Sequence, residues 1–220
     1  MPTKQVLFFF PENPFSNRAG NTTRAKKNIT ILKNLGCNID LVGYKTVYEY
    51  MGDSLEYDRT LIDNHFLIEK KPNAPIISHV YWRYRWLKLI GKKNKYNSML
   101  NLYAKQNFED ILKAKKYDCI VINYEMWSGL IDNDLTKNTL KVIDTHDWIT
   151  LNEFFKDQNL NVGERFNEEI KNLDKFDKVI TISNDEHFVF KGFLGEKVIN
   201  IPPSFPISIS ETPKKKWDLM

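Results

Sequence analysis

Seven short apolar runs, rich in β-branched and aromatic residues, constrain this chain more than any other feature. They lie at 6–10, 39–42, 76–82, 119–123, 140–143, 179–182 and 197–201. Each is strand length, and helical spacing fills most of the intervals between them. Across 21–35, for instance, Ile29, Ile31, Leu32 and Leu35 recur at helical spacing before Gly36, which reads as a C′ cap. Strand, helix, glycine, strand is a βαβ unit, and such units are parallel and right-handed. Further helices are expected near 48–51, 97–115, 148–155, 166–176 and 185–193, with a short helical connection at 127–135. The pattern predicts a Rossmann-like α/β fold: a doubly wound, mostly parallel sheet of about seven strands with helices on both faces.

Pro202-Pro203 stops the last run sharply, and residues 204–216 are rich in Ser, Pro and Lys. Trp217 to Met220 then opens another apolar run. The expected organisation is one domain over 1–203, with 204–220 a linker and the start of a further domain. A tail strand added to the same sheet is the plainer alternative. Composition supports a folded domain, with 42% apolar and 27% charged residues and a net charge of +4, too weak by itself to argue for nucleic acid. Cys37 and Cys119 lie far apart beside apolar runs, fitting reduced thiols of a cytoplasmic protein. The apolar start is too short for a signal sequence, and no stretch approaches membrane-spanning length.

In an open α/β sheet, ligands bind beyond the carboxyl ends of the strands. Two strands here end in polar clusters: Asp144-Thr145-His146-Asp147 and Ser183-Asn184-Asp185-Glu186. Asp144 and His146 point the same way along their strand, so a carboxylate-oriented neutral histidine could bind a sugar hydroxyl or act as a base. His146 and Asp147 are the candidate catalytic pair; the plain alternative makes His146 a turn residue and Asp147 a helix cap. In the first loop, Gly20 just before a helix suits a phosphate held by backbone N–H groups, with Arg18, Arg24 and Asn21 beside it. A simple turn capped by Asn21 or Thr22 is the alternative there. Neither GxGxxG nor GKS/T is present, the histidines lack metal-ligand spacing, and Ser128 is not in a GxSxG elbow. Glu125 is a lesser candidate for acceptor hydroxyls. Residues 81–96 interleave aromatics with six cations, Arg83 and Arg85 among them. That stretch suits an anionic membrane surface, a phosphorylated or lipid-linked acceptor, or nucleic acid; a solvated basic face over buried aromatics is the commoner origin of such a pattern.

Taken in order, these motifs resemble the N-terminal domain of GT-B glycosyltransferases of the family 4 type. The resemblance rests on 6–20, the helix ending Leu35-Gly36, Tyr117 to Val121, Asp144 to Asp147, Phe176 to Glu186, and Val198 to Ser204. It implies a hexosyltransferase-like enzyme that moves a sugar from a nucleotide-diphosphate sugar to a glycan or lipid-linked acceptor, with retention and with neither metal nor cofactor. Gly20, Arg18 and Asn21 would then face the donor diphosphate, His146 and Asp147 the reaction cleft, and Glu125, Arg83 and Arg85 the acceptor. Ala19-Gly20 stands where many relatives carry paired glycines. The implied partners are the donor, the acceptor and a C-terminal GT-B domain, with no nucleic acid; the basic aromatic residues of 81–96, read by themselves, would add peripheral contact at the inner membrane surface. This chain alone would be weakly active or inactive. A nucleotide-sugar 2-epimerase of the same architecture, or a non-catalytic glycan or anionic-surface binding module, are the rival readings.

Overall fold

The computed structural model describes residues 3–16, 18–54, 57–91 and 100–204. Its seven strands, all paired in parallel, form one sheet in the order β3-β2-β1-β4-β5-β6-β7. The strands are β1 (Gln5–Phe9), β2 (Asn38–Tyr44), β3 (Asn64–Ile68), β4 (Cys119–Asn123), β5 (Leu140–Asp144), β6 (Lys178–Thr181) and β7 (Val198–Asn200). The helices are α1 (Gly20–Asn34), α2 (Lys45–Met51), α3 (His79–Ile90), α4 (Leu102–Ala114), α5 (Ile149–Lys156), α6 (Val162–Asp174) and α7 (Asn184–Leu194). Strand order reverses between β1 and β4, and that switch point opens a crevice at the carboxyl ends of both.

Alternation along β1 builds both faces at once. Val6, Phe8 and Phe10 pack with Ala25 and Ile29 of α1 and with Ile39 and Leu41 of β2. Leu7 and Phe9 point the other way, into a larger core with Phe108 of α4, Leu173 of α6 and Phe190 of α7. Gly43 is needed for close approach, since a Cβ there would sit 2.6 Å from the Tyr48 ring and 2.8 Å from Leu67. Gly36, at φ +80°, follows the end of α1 as expected.

One strand lies elsewhere than the sequence suggested. Residues 76–82 are not a strand: Ser78 caps α3, its Oγ accepting from the Tyr81 N–H at 3.1 Å, and the apolar aromatics run on as a helix. The third strand is instead Asn64–Ile68, at the sheet edge. This edge strand is partly exposed and gathers only Phe66, Leu67 and Ile68 into an apolar run, and a short apolar run alone does not separate strand from helix. The connection after β4 is a 3-10 turn, Glu125–Ile131. Both cysteines are free and partly buried, and no helix among the described residues is long and apolar enough to cross a membrane. The expected linker and strand beyond residue 204, and the cations at 92, 93 and 95, lie outside the described residues.

Candidate functional site

The crevice at the switch point is walled by the chain just past β1, β4 and β5. Two residues there depart from ordinary backbone geometry. Tyr124, directly after β4, has φ +68° and ψ 134°, and His146, two residues past the end of β5, has φ +61°. These are the only non-glycine residues with positive φ among those described, and they lie side by side because Asn123 pairs with Asp144 across the strands. Their rings stack, with centroids 4.5 Å apart at 26°, and Phe10 from the end of β1 stacks on Tyr124 at 6.2 Å. Left-handed backbone at a tyrosine costs on the order of 1–3 kcal/mol, and such strain concentrates at functional sites.

His146 is buried and its Nε2 lies 2.7 Å from Asn123 Oδ1. The Asn123 amide nitrogen donates to the Phe9 carbonyl at 2.6 Å, so its oxygen faces the ring and Nε2 must carry the proton. Nδ1 is therefore the acceptor nitrogen of a neutral imidazole. Burial pushes the His146 pKa down to about 4; the pull of Asp144 opposes this and the charge of Arg24 adds to it. Such a ring is a hydrogen-bonding group at neutral pH and a poor proton acceptor.

The expected carboxylate orientation of His146 is corrected by this geometry. Asp144 Oδ2 is 3.8 Å from Nε2, and the carboxylate is committed to Arg24, which grips both oxygens at 2.8–3.1 Å, and to Asn28 at 2.8 Å. Arg24 also donates to the Ile201 carbonyl at 2.9 Å, tying α1 to the chain leaving β7. Asp147 is exposed at the rim; partial desolvation raises its pKa, with a hydrogen bond from Asn152 opposing.

Gly20 is the first residue of α1, and nothing lies within 4 Å of where its Cβ would be. Ala19 caps the helix, its N–H donating to Thr22 Oγ1 at 3.2 Å, and the Thr22 N–H is taken by Asn21 Oδ1 at 2.8 Å. Among the described residues the N–H groups of Gly20 and Asn21 find no acceptor, and the first turn holds no acid. A helix end of this kind attracts anions. The Asn21 amide nitrogen reaches Glu12 at 3.1 Å and the Tyr124 hydroxyl at 2.8 Å, linking the helix start to the aromatic stack. Burial raises the pKa of Glu12.

Two of the expected contacts, those of Arg18 and Glu125, are engaged elsewhere. Arg18 turns away to the Met51 carbonyl and to Asp53 Oδ1, each at 2.6 Å. Glu125 is not available to an acceptor: it is buried in an ion pair with Arg165 at 2.9 Å and bonded to Asn172. Arg165 also holds Glu153 at 2.8 Å, and Glu169 accepts from the N–H groups of Ile149 and Thr150, so this cluster clamps α5 against α6. Arg83 and Arg85 are exposed on α3, Arg83 resting on Gln106 of α4. At the second polar cluster, Ser183 caps α7 and Glu186 accepts from the Ile182 N–H, so these residues secure the helix. Sequence reasoning missed Tyr124 and Asn123, and it offered Arg24 to a phosphate where the structure commits it to Asp144; only Asn-Tyr directly after an apolar run hinted at a special turn. Among the described residues no three His, Cys, Asp or Glu side chains are grouped to hold a metal ion.

No family model matches the chain, and no curated protein matches it. Solved structures do. Sucrose-phosphate synthase from Thermosynechococcus elongatus superposes with a TM-score of 0.61 at 14% identity, over 90% of this chain and 48% of that one. Arabidopsis thaliana UGT89C1, solved with UDP-L-rhamnose, gives 0.54 at 11% identity, over 97% and 56%. LpCGTa, solved with UDP, gives 0.50 at 10% identity, over 93% and 53%. The chain thus spans about half the length of these three structures, and it has the Rossmann-like fold of a GT-B domain.

Proposed function

We propose that this chain is the acceptor-side half of a nucleotide-sugar glycosyltransferase. The observation that carries the reading is the strained, stacked pair Tyr124 and His146 beside the open N-terminus of α1, all at the switch-point crevice. In this reading the backbone N–H groups of Gly20 and Asn21 face the donor diphosphate and stabilise it as it leaves. Arg18 is left out of that contact by its ion pair with Asp53. The Nδ1 lone pair of neutral His146 accepts a hydroxyl of the transferred sugar, fixing its orientation without taking its proton. Asp147 is the carboxylate of the pair nearest solvent, suited to an incoming acceptor hydroxyl. Transfer proceeds with retention and without a metal, and a second domain after residue 204 supplies most contacts to the nucleotide. The acceptor is a glycan or a lipid-linked glycan.

The test is a form of the protein extended beyond residue 220, assayed for nucleotide release from a panel of nucleotide-sugars with matched acceptors. Release that needs both substrates is expected, and His146→Ala should cut kcat by roughly tenfold to a hundredfold with the fold intact. No release with any donor would overturn the reading. Product formed without acceptor would point to epimerisation instead.

A further inference from the structure

Between Glu69 and Glu109 the sequence has no acidic residue but nine cations, at 70, 71, 83, 85, 88, 92, 93, 95 and 105. Taking these nine from the chain's net +4 leaves −5 on everything else, so the positive charge belongs to one segment. Helix α3 lies at its centre. On a helical projection Trp82, Trp86 and Leu89 recur at i, i+4 and i+7 and form one stripe. That stripe faces out: Trp82 is 60% exposed, Trp86 59% and Leu89 83%. Ile77, just ahead of the Ser78 cap, is 91% exposed. The opposite face holds the helix to the domain, through buried Leu87 and through Tyr84 edge-on to Tyr103 of α4 at 5.6 Å. Arg83 and Arg85 flank the stripe on either side, about 100° and 60° from Trp82. Among the described residues neither they nor Lys88 has a carboxylate within ion-pair distance. Lys70, Lys88, Lys105 and Lys175 border one cavity beside α3 with Asp132 as its single carboxylate, so cations outnumber acids there.

We infer that α3 docks the protein on an anionic lipid surface, Trp82, Trp86, Leu89 and Ile77 entering the headgroup boundary and Arg83, Arg85 and Lys88 meeting lipid phosphates. Two observations select lipid over other occupants. Tryptophans backed by aliphatic side chains on one face suit the interface between headgroups and acyl chains. The flanking charges are of one sign and no carboxylate among the described residues neutralises them, Arg83 meeting only the neutral Gln106 amide, which complements an anionic surface and would repel a second copy of the same face. This surface does not depend on the transfer reading, because binding is measured without turnover.

The experiment is co-sedimentation of the full chain with phosphatidylcholine vesicles and with mixed phosphatidylcholine–phosphatidylglycerol vesicles, alongside tryptophan emission. Binding to the mixed vesicles alone, a blue shift in emission and release by high salt are expected. Trp82→Glu with Leu89→Glu should abolish binding, and Arg83→Glu with Arg85→Glu should weaken it by roughly tenfold or more. All four positions are exposed, and circular dichroism checks that the variants fold. Absence of vesicle binding overturns the inference. So does self-association that Trp82→Glu disrupts, or binding to single-stranded nucleic acid that vesicles fail to displace.

Discussion

The Asn123 side chain binds the His146 ring through its oxygen at 2.7 Å and the Phe9 carbonyl through its nitrogen at 2.6 Å. One amide therefore spans three strands' ends and sets the tautomer of the histidine. Neither group can be replaced without exposing the other's unmet hydrogen bond in a buried place.

Asn123→Ala should accordingly lose ~1–3 kcal/mol of unfolding free energy in urea titrations, the cost of stranding a buried donor and acceptor. Asn123→Asp is the sharper probe. A carboxylate at that distance should raise the His146 pKa well above its present low value, which NMR titration of the imidazole would read directly. An unchanged pKa would mean that Asn123 does not hold the ring.

The depressed pKa of His146 has a sign in stability. Between its ordinary 6.5 and about 4 the unfolded chain binds a proton that the folded chain refuses. His146 therefore lowers stability as pH falls through that window, by up to about 3 kcal/mol, and has no effect above it. Glu169 acts in the opposite sense, because burial lifts its pKa from 4.5 to about 7. Its folded form keeps a proton that the unfolded chain releases, so its contribution is present below 4.5 and is lost as pH rises towards 7. The difference in stability between Glu169→Gln and the parent should therefore grow in the variant's favour across that range, by on the order of 3 kcal/mol. Denaturation at a series of pH values measures it; a flat difference would sink the assignment.

Arg24→Leu leaves Asp144 charged and buried with Asn28 alone. A loss of about 3–5 kcal/mol is expected, as for other broken buried pairs. With the guanidinium gone and the carboxylate unopposed, the His146 pKa should also rise, a change that a purely structural loss would not produce.

At most positions alanine is tolerated better than glycine, but Tyr124 should reverse that order. Its φ and ψ lie where only glycine is at ease, so Tyr124→Gly should be more stable than Tyr124→Ala by ~1 kcal/mol or more. Chemical denaturation of the two variants decides it.

The fold was legible because β1, β2 and β4 are buried on both faces and read as continuous apolar runs, while β5, β6 and β7, partly exposed, still keep short β-branched runs. The seventh, Asn64–Ile68, escaped because its outward residues are exposed. Residues 76–82 mislead for the converse reason: they form an apolar run of strand length, yet Ile76, Ile77 and Trp82 face solvent. At the site, His146 and Gly20 stood out through residue type and position. Glu125 and Arg18 looked equally suitable, and only tertiary partners separate them, Arg165 for one and Asp53 for the other. No local pattern reports a partner forty residues away. Nor does sequence spacing report that His146 leans on an amide and leaves Asp144 to an arginine from another element.

The divided grip of Arg24 carries a mechanical implication. Its one guanidinium holds Asp144 beneath the crevice and the Ile201 carbonyl where the chain departs, while Lys27, one residue turn along the same helix, reaches Ser204. Tension applied to the departing strand is thus borne by α1, the helix whose first N–H groups border the crevice. The exit and the crevice wall share an anchor, and neither can be displaced without loading the other.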